Sequence, residues 1–400
     1  MPAEPNATPK LLFAVGEAFG ELFTAMYMAH GCGFRTVFVL RDPWYSLNRS
    51  GLPGSAYLFE GLTSLLSAID KERPDLVCLF SGYLYVGDAI MDFDDLDRLV
   101  KFLRVRGIAV LTSDPFLGIG ARLPLIDFRN PLARLLSLPL RLAGLIWYGP
   151  GFNYLLRIRA ILEAVPHLYM VDPDENRIQA LPFFNPNFIG FAADRAMAPA
   201  EPPGKIPAQP YWLFILGASD YHPQVKKHGA DYFHAVLTGK LGDALDQGRG
   251  AALIAPEACI AALESNALLE ECVLIRYCDY KAYMSILLGA EYAFYWNFFS
   301  ASILARLLNR MPVLFFACGH LAEANPRMFR KGMDRYYGEA EVTCLDPADR
   351  LSCSELKELA MRQEERLFTP FLRNVRTLPS PETVVRGLMQ VRPQALPISA

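Results

Sequence analysis

Runs of about five apolar residues alternate with helically spaced segments of about a dozen residues. No other feature narrows the possible folds of this chain as much. Leu11–Val15, Thr36–Leu40, Leu76–Phe80 and Ile108–Thr112 read as strands, and Glu17–His30, Tyr57–Lys71 and Asp94–Val105 read as helices. The last helix carries acids in its first turn and Lys101, Arg104 and Arg106 toward its end, as the helix dipole favours. Short strands separated by helices imply βαβ units and a parallel sheet covered on both faces.

The alternation stops at residues 196–210, which carry five prolines and a glycine and read as a semi-rigid linker. It then restarts. Trp212–Leu216, Ala251–Ile254, Val273–Tyr277, Tyr292–Tyr295 and Val313–Phe316 are the expected strands; Ala230–Gln247, Cys259–Leu269, Tyr280–Leu288 and Ser302–Asn309 are the expected helices. The expected architecture is α/β, with two facing Rossmann-like domains at 1–195 and 211–370. Ser354–Phe368 and Pro381–Val391 read as terminal helices. By analogy with proteins of this layout, the tail at 371–400 is expected to return to the first domain.

Composition excludes several classes. Of 400 residues 52% are apolar and 20% charged, with 39 basic against 42 acidic, which fits neither a disordered chain, a collagen-like fibre nor a strongly basic nucleic-acid binder. Nucleic acid is therefore not an expected partner. The eight cysteines include no CxxC pair, and most lie in apolar runs, as expected of buried thiols in a reducing compartment. The opening MPAEPNATPK has no signal-peptide pattern, and no apolar run reaches the roughly eighteen residues of a spanning helix, so a cytoplasmic location is expected. No metal site is expected either. His222, His228 and His234 are six apart and share no helical face, while Asp92-Phe93-Asp94-Asp95 falls where a helix start attracts acids.

Open parallel sheets bind ligands beyond the carboxyl ends of their strands, and clefts between domains are favoured sites. Gly16–Glu21, Ser81–Gly87, Ser113–Gly120, Gly217–Tyr221 and Trp296–Ser302 are the loops in that position. Ser300 or Ser302 would start the helix that follows Trp296, and a helix N-terminus suits a diphosphate through its amides and dipole. The plainer alternative is an N-cap and nothing more. Gly217-Ala218-Ser219 is a turn of small residues that lets a ligand approach the backbone; the alternative is an ordinary tight turn.

From these residues the second half resembles the donor-binding domain of GT-B glycosyltransferases over about residues 210–320. The likeness runs from the strand into Gly217-Ala218-Ser219, through Val273–Tyr277, Asp279-Tyr280, Tyr292–Tyr295 and the hydroxyl turn, to Met311-Pro312-Val313-Leu314. It implies a nucleotide diphosphate sugar as donor and no further cofactor. Gly217, Ser219, Asn297, Ser300 and Ser302 would lie around the phosphates, and Arg276 would flank the nucleotide and offset its charge. Retaining members carry two glutamates seven residues apart near this turn, where this chain has Asn297 and Arg306, so the resemblance implies inversion. Inversion needs a base to deprotonate the acceptor. Glu17 is the first candidate and Asp114 the second; a helix-start acid and a turn aspartate before Pro115 are their alternatives. A non-hydrolysing nucleotide-sugar 2-epimerase and a catalytically silent scaffold on the same fold stay open.

Residues 121–160 carry six arginines against one aspartate among many leucines, and 132–148 is almost wholly apolar apart from Arg134 and Arg141. Such a segment suits a peripheral membrane contact or a hydrophobic acceptor, and the expected acceptor is a small molecule or a lipid. The alternative is a buried helix pair with its arginines reaching solvent.

Overall fold

The computed structural model describes residues 8–17, 19–114, 124–128, 130–148, 151–170, 180–189, 210–264, 266, 269–316 and 326–390. The linker at 196–209 and the loop beyond Asp114 lie outside the described residues. The chain divides into two compact units. The first comprises Met1–Asn185 with Leu378–Ala400, and the second Pro186–Thr377.

Unit 1 follows the order β1 (Lys10–Val15), α1 (Phe19–Ala29), β2 (Arg35–Leu40), α2 (Trp44–Asn48), β3 (Ser55–Leu58), α3 (Leu62–Glu72), β4 (Leu76–Leu79), α4 (Phe93–Val105) and β5 (Ala109–Ser113). Then come α5 (Pro131–Leu136), α6 (Leu138–Tyr148), α7 (Gly151–Leu162), β6 (His167–Tyr169) and β7 (Ala180–Pro182). All seven strands are parallel, in the order β3-β2-β1-β4-β5-β6-β7. Leu11 to Val15 are fully buried, as a central strand covered on both faces must be. Asp92 starts α4 by accepting from Asp95 N at 2.7 Å, and Leu96, Leu99, Val100 and Leu103 turn into the core.

The expected helix Tyr57–Lys71 is instead an edge strand followed by α3. Gly61, at φ 152°, makes the break that only glycine takes easily, and α3 begins after it. The 132–148 segment forms the helix pair α5 and α6, but the buried alternative is overturned. Among its described residues only Gly144 is buried, packed so closely on Phe152 that no side chain fits there.

Unit 2 contains β8 (Tyr211–Ile215), α8 (Ala218–His228), α9 (Ala230–Asp246), β9 (Gly250–Ile254), α10 (Glu257–Leu263), β10 (Val273–Ile275), α11 (Tyr280–Gly289), β11 (Tyr292–Tyr295), α12 (Ala301–Leu308) and β12 (Val313–Phe316). It closes with α13 (Pro326–Tyr337), β13 (Cys344–Leu345), α14 (Cys353–Gln363), a π turn at Glu364–Phe368 and α15 (Thr369–Val375). Helix α16 (Pro381–Gln390) belongs to unit 1. The six-stranded parallel sheet runs β10-β9-β8-β11-β12-β13. Helix α8 was not expected: Pro223 lies inside it, and only Asp220, Tyr221 and Gln224 are buried, so its apolar pattern is faint. The expected helix Cys259–Leu269 ends at Leu263, and the expected strand Val273–Tyr277 ends at Ile275.

Candidate functional site

Each sheet has one place where the strand order reverses, and the loops leaving its two strands there turn to opposite faces and open a crevice. In unit 2 that place lies between β8 and β11, where Ile215 stands opposite Tyr295. The loops at Gly217 and at Trp296–Ser300 therefore leave side by side.

Gly217 is the N-cap residue of α8, with φ −76°, and Gly217, Ala218 and Ser219 are all exposed. A Cβ at Gly217 would come within 3.3 Å of Asp220 Oδ2, so a buried acid already stands beside this helix start. Ser300 is the N-cap residue of α12, but its side chain bonds none of the helix N–H groups. Its Oγ lies 2.8 Å from Oγ of the buried Ser302, and Ile303 N donates to the Ser300 carbonyl at 3.0 Å, so of the first turn the N–H groups of Ala301 and Ser302 are the ones left to another acceptor. Asn297 Oδ1 accepts from Phe299 N at 2.7 Å and shapes the turn before the helix. Arg276 is half-exposed and held between Glu257, at 3.2 Å, and Glu264. Its charge is thus largely balanced within unit 2. Arg306 is fully buried and donates to the carbonyls of Leu287, Ala290, Pro312 and Glu291 at 2.6 to 3.3 Å. Burial pulls its pKa down to about 10, which leaves it charged at neutral pH, tying α11 to the strands that follow.

In unit 1 the order reverses between β1 and β4. Glu17, just past β1, is exposed, ion-paired to Arg41 at 3.3 Å, and held by its carbonyl to Trp44 Nε1 at 2.7 Å. Glu21, one helical turn further on, is buried. Its Oε2 accepts from Gly16 N at 2.6 Å, and its Oε1 has no partner of good hydrogen-bond geometry among the described residues. Burial pushes its pKa up to about 8; the Gly16 N–H and the Ser81 side chain oppose the rise, and the negative charges of Asp88 and Glu17 add to it. Asp88 is raised as well, by burial first and then by Glu17. Ser81, at φ 48°, holds a backbone shape unusual for a residue with a side chain, fixed by its N–H donating to Ser113 Oγ at 2.7 Å. Three carboxyls and Arg41 thus gather at this crevice, and the most buried is Glu21, which retains its proton at neutral pH.

Asp114 follows β5 and is buried in a second polar group, where burial first, and then the Asp114 charge, raise the Tyr83 pKa. Tyr83 OH lies 2.9 Å from His167 Nε2, and burial, with Arg159 nearby, pulls His167 down to about 4, so the imidazole stays neutral. The structure therefore brings Glu17 to a crevice where Glu21 is the more perturbed acid. Reading from sequence passed over Glu21 in favour of Glu17. The signal was present: Glu21, Ala25 and Met28 share one helical face, and that face is buried.

No protein-family model matches the chain, and no curated protein matches it. Solved structures share its fold. Os79 from O. sativa, determined in complex with UDP, aligns at 14% identity and TM-score 0.52 over 95% of this chain and 98% of its own. The wall teichoic acid polymerase TagF, soaked with CDPG, aligns at 12% identity and TM-score 0.50 over 96% of this chain and 88% of its own. UDP-GlcNAc 2-epimerase from Methanocaldococcus jannaschii aligns at 12% identity and TM-score 0.45 over 95% of this chain and 99% of its own. The fold is GT-B-like: two Rossmann-like units with parallel sheets, a likeness that extends beyond residues 210–320 to almost the whole chain.

Proposed function

We propose that this chain is an enzyme that transfers a glycosyl group from a nucleotide diphosphate sugar, with inversion and without a metal. The observation that supports this most is the β8/β11 crevice, where two helix starts stand side by side at the reversal of the sheet. At α12 the Ser300 side chain leaves the Ala301 and Ser302 amides uncapped, and an anionic diphosphate is the ligand class such amides favour. Ser219, Asn297 and Ser302 shape the same crevice, and Arg276 serves the nucleotide as a positioned, already paired cation.

Within unit 1, the acceptor's proton goes to a carboxyl at the β1/β4 crevice. Once ionised, toward pH 8 and above, Glu21 fits that task better than Glu17, because a base near pKa 8 takes a hydroxyl proton more readily than an ordinary carboxylate. Glu17 and Asp88 sustain that basicity through their charge, and Asp114 orients groups from the neighbouring cluster. Inversion rests on the resemblance, since the glutamate pair of retaining enzymes has no counterpart around Asn297 and Arg306.

The test is calorimetric titration with UDP-, GDP-, TDP- and CDP-sugars. Gly217→Asn preserves a good N-cap while filling the space above the turn, and Ser300→Ala removes the hydroxyl. Tight binding by one donor, weakened at least tenfold in Gly217→Asn, is the expected result. Absence of binding by every donor would remove the reading. An epimerised donor formed without any acceptor would assign the crevice to epimerisation instead.

A further inference from the structure

Among the described residues fifteen large hydrophobic side chains are exposed, and eight of them lie between positions 132 and 146 in α5 and α6. Leu132 is 62% exposed, Leu135 65%, Leu136 73% and Ile146 82%. Scattered exposed leucines are ordinary, but this concentration on two consecutive helices is a patch. Short helix length rules out a buried span: α6 has 11 residues, about 16 Å, and no described helix is long and apolar enough to cross a membrane. Within unit 1 the pair packs on α7. Gly144 packs on Phe152, and Arg141 donates to Asn153 Oδ1 at 2.8 Å with its guanidinium over the Phe128 ring.

Charge selects the occupant. Residues 130–148 contain Arg134 and Arg141 and no acid, and Arg134 is exposed among the leucines. Aliphatic chains beside arginine are what the acyl boundary and anionic headgroups of a bilayer accept. We infer that α5 and α6 dock this protein on an anionic lipid surface, lying in its plane with the leucines and Ile146 below the headgroups and Arg134 among them. This docking rests on unit 1 alone and stands independently of the proposed reaction.

The experiment is co-sedimentation of the full chain, without donor or acceptor, with phosphatidylcholine vesicles and with vesicles containing about one-third phosphatidylglycerol. We expect binding at least tenfold stronger to the anionic vesicles, weakened by added salt. Leu136→Asp combined with Ile146→Asp lowers that binding at least tenfold. Arg134→Gln lowers it about fivefold, as one basic group near an anionic surface should. Val105→Asp, on an apolar side chain 79% exposed at the end of α4, leaves it unchanged. Melting curves verify that each variant is folded, and Leu132→Ser combined with Leu135→Ser replaces the aspartate pair should that pair fail to fold. The proposal is overturned if the wild-type chain binds neither vesicle or if the folded leucine variants bind as it does. It is equally overturned if light scattering shows a dimer that the aspartates dissociate while no vesicle is bound, because the face then belongs to a second copy.

Discussion

Glu21 carries a cost that its position explains. One oxygen is anchored on the Gly16 amide, the other lies among buried groups, and the folded state holds the proton up to a pH of about 8. The unfolded chain releases it near the ordinary glutamate value, so between about pH 4.5 and 8 the folded state binds the extra proton. Stability attributable to this group therefore falls as pH rises through that window and levels off above it, by roughly 5 kcal/mol at most. Glu21→Gln, neutral at every pH, should flatten the decline in urea-denaturation midpoints and raise stability near pH 8. The same substitution should cut the proposed transfer by about a hundredfold or more and abolish the rise of kcat/KM toward pH 8, whereas Glu17→Gln should cost much less. A gain in stability paired with a loss of turnover is the outcome that marks a working group rather than a packing one. Arg306 should behave in the opposite way. Its guanidinium meets four backbone carbonyls in the interior, so Arg306→Met should destabilise the chain by about 3–5 kcal/mol in denaturant titrations at any pH between 5 and 9.

At the scale of elements, the central strands and long amphipathic helices were legible because burial imposes their patterns. Tyr292–Tyr295 and Val313–Phe316 have the expected bounds, and α4 differs by one residue at its start. What escaped was set by backbone contacts rather than by side-chain periodicity. Nothing apolar marks the break before α3, which follows from the φ of Gly61, nor the entry into β3, where Gly54 lies against the Thr36 backbone too closely for any Cβ. Glu21 escaped because a carboxyl on a buried face contradicts the pattern used to find the face, and α8 escaped because Pro223 and its polar residues mask it. The glycines divide accordingly. Gly54→Ala should push β3 off β2 and cost several kcal/mol, since rigid backbone must move. Gly239, inside α9 with open space where a Cβ would stand, should accept alanine with a gain of about 0.5–1 kcal/mol. Thermal melts of the two variants, shifted in opposite directions, check the distinction.

At the scale of the molecule, the last helix belongs with the first unit although all of unit 2 separates them in sequence. Helix α16 turns Pro381, Val384 and Val385 inward, and the Pro379 carbonyl just before it accepts from Phe184 N at 2.9 Å. The next residue, Asn185, takes its N–H to Tyr27 OH at 2.7 Å and its Nδ2 to the carbonyls of Tyr27 and His30, fastening the end of α1. A chain of contacts thus leads from the tail, through residues 184 and 185, to the helix whose first turn holds Glu21. Ending the chain at Thr377 would orphan the Phe184 N–H and uncover the apolar stripe of α16's seat, each buried valine being worth about 1.5–3 kcal/mol. Amide exchange should then rise at 183–185 and along α1 while α9 and β9 keep their protection. A loosened α1 also admits water to Glu21, so the pH window of its stability effect should move down toward the ordinary glutamate range. If the truncated chain retained both the exchange pattern of α1 and a limb near pH 8, the tail would contribute local burial only, with no hold on the carboxyl.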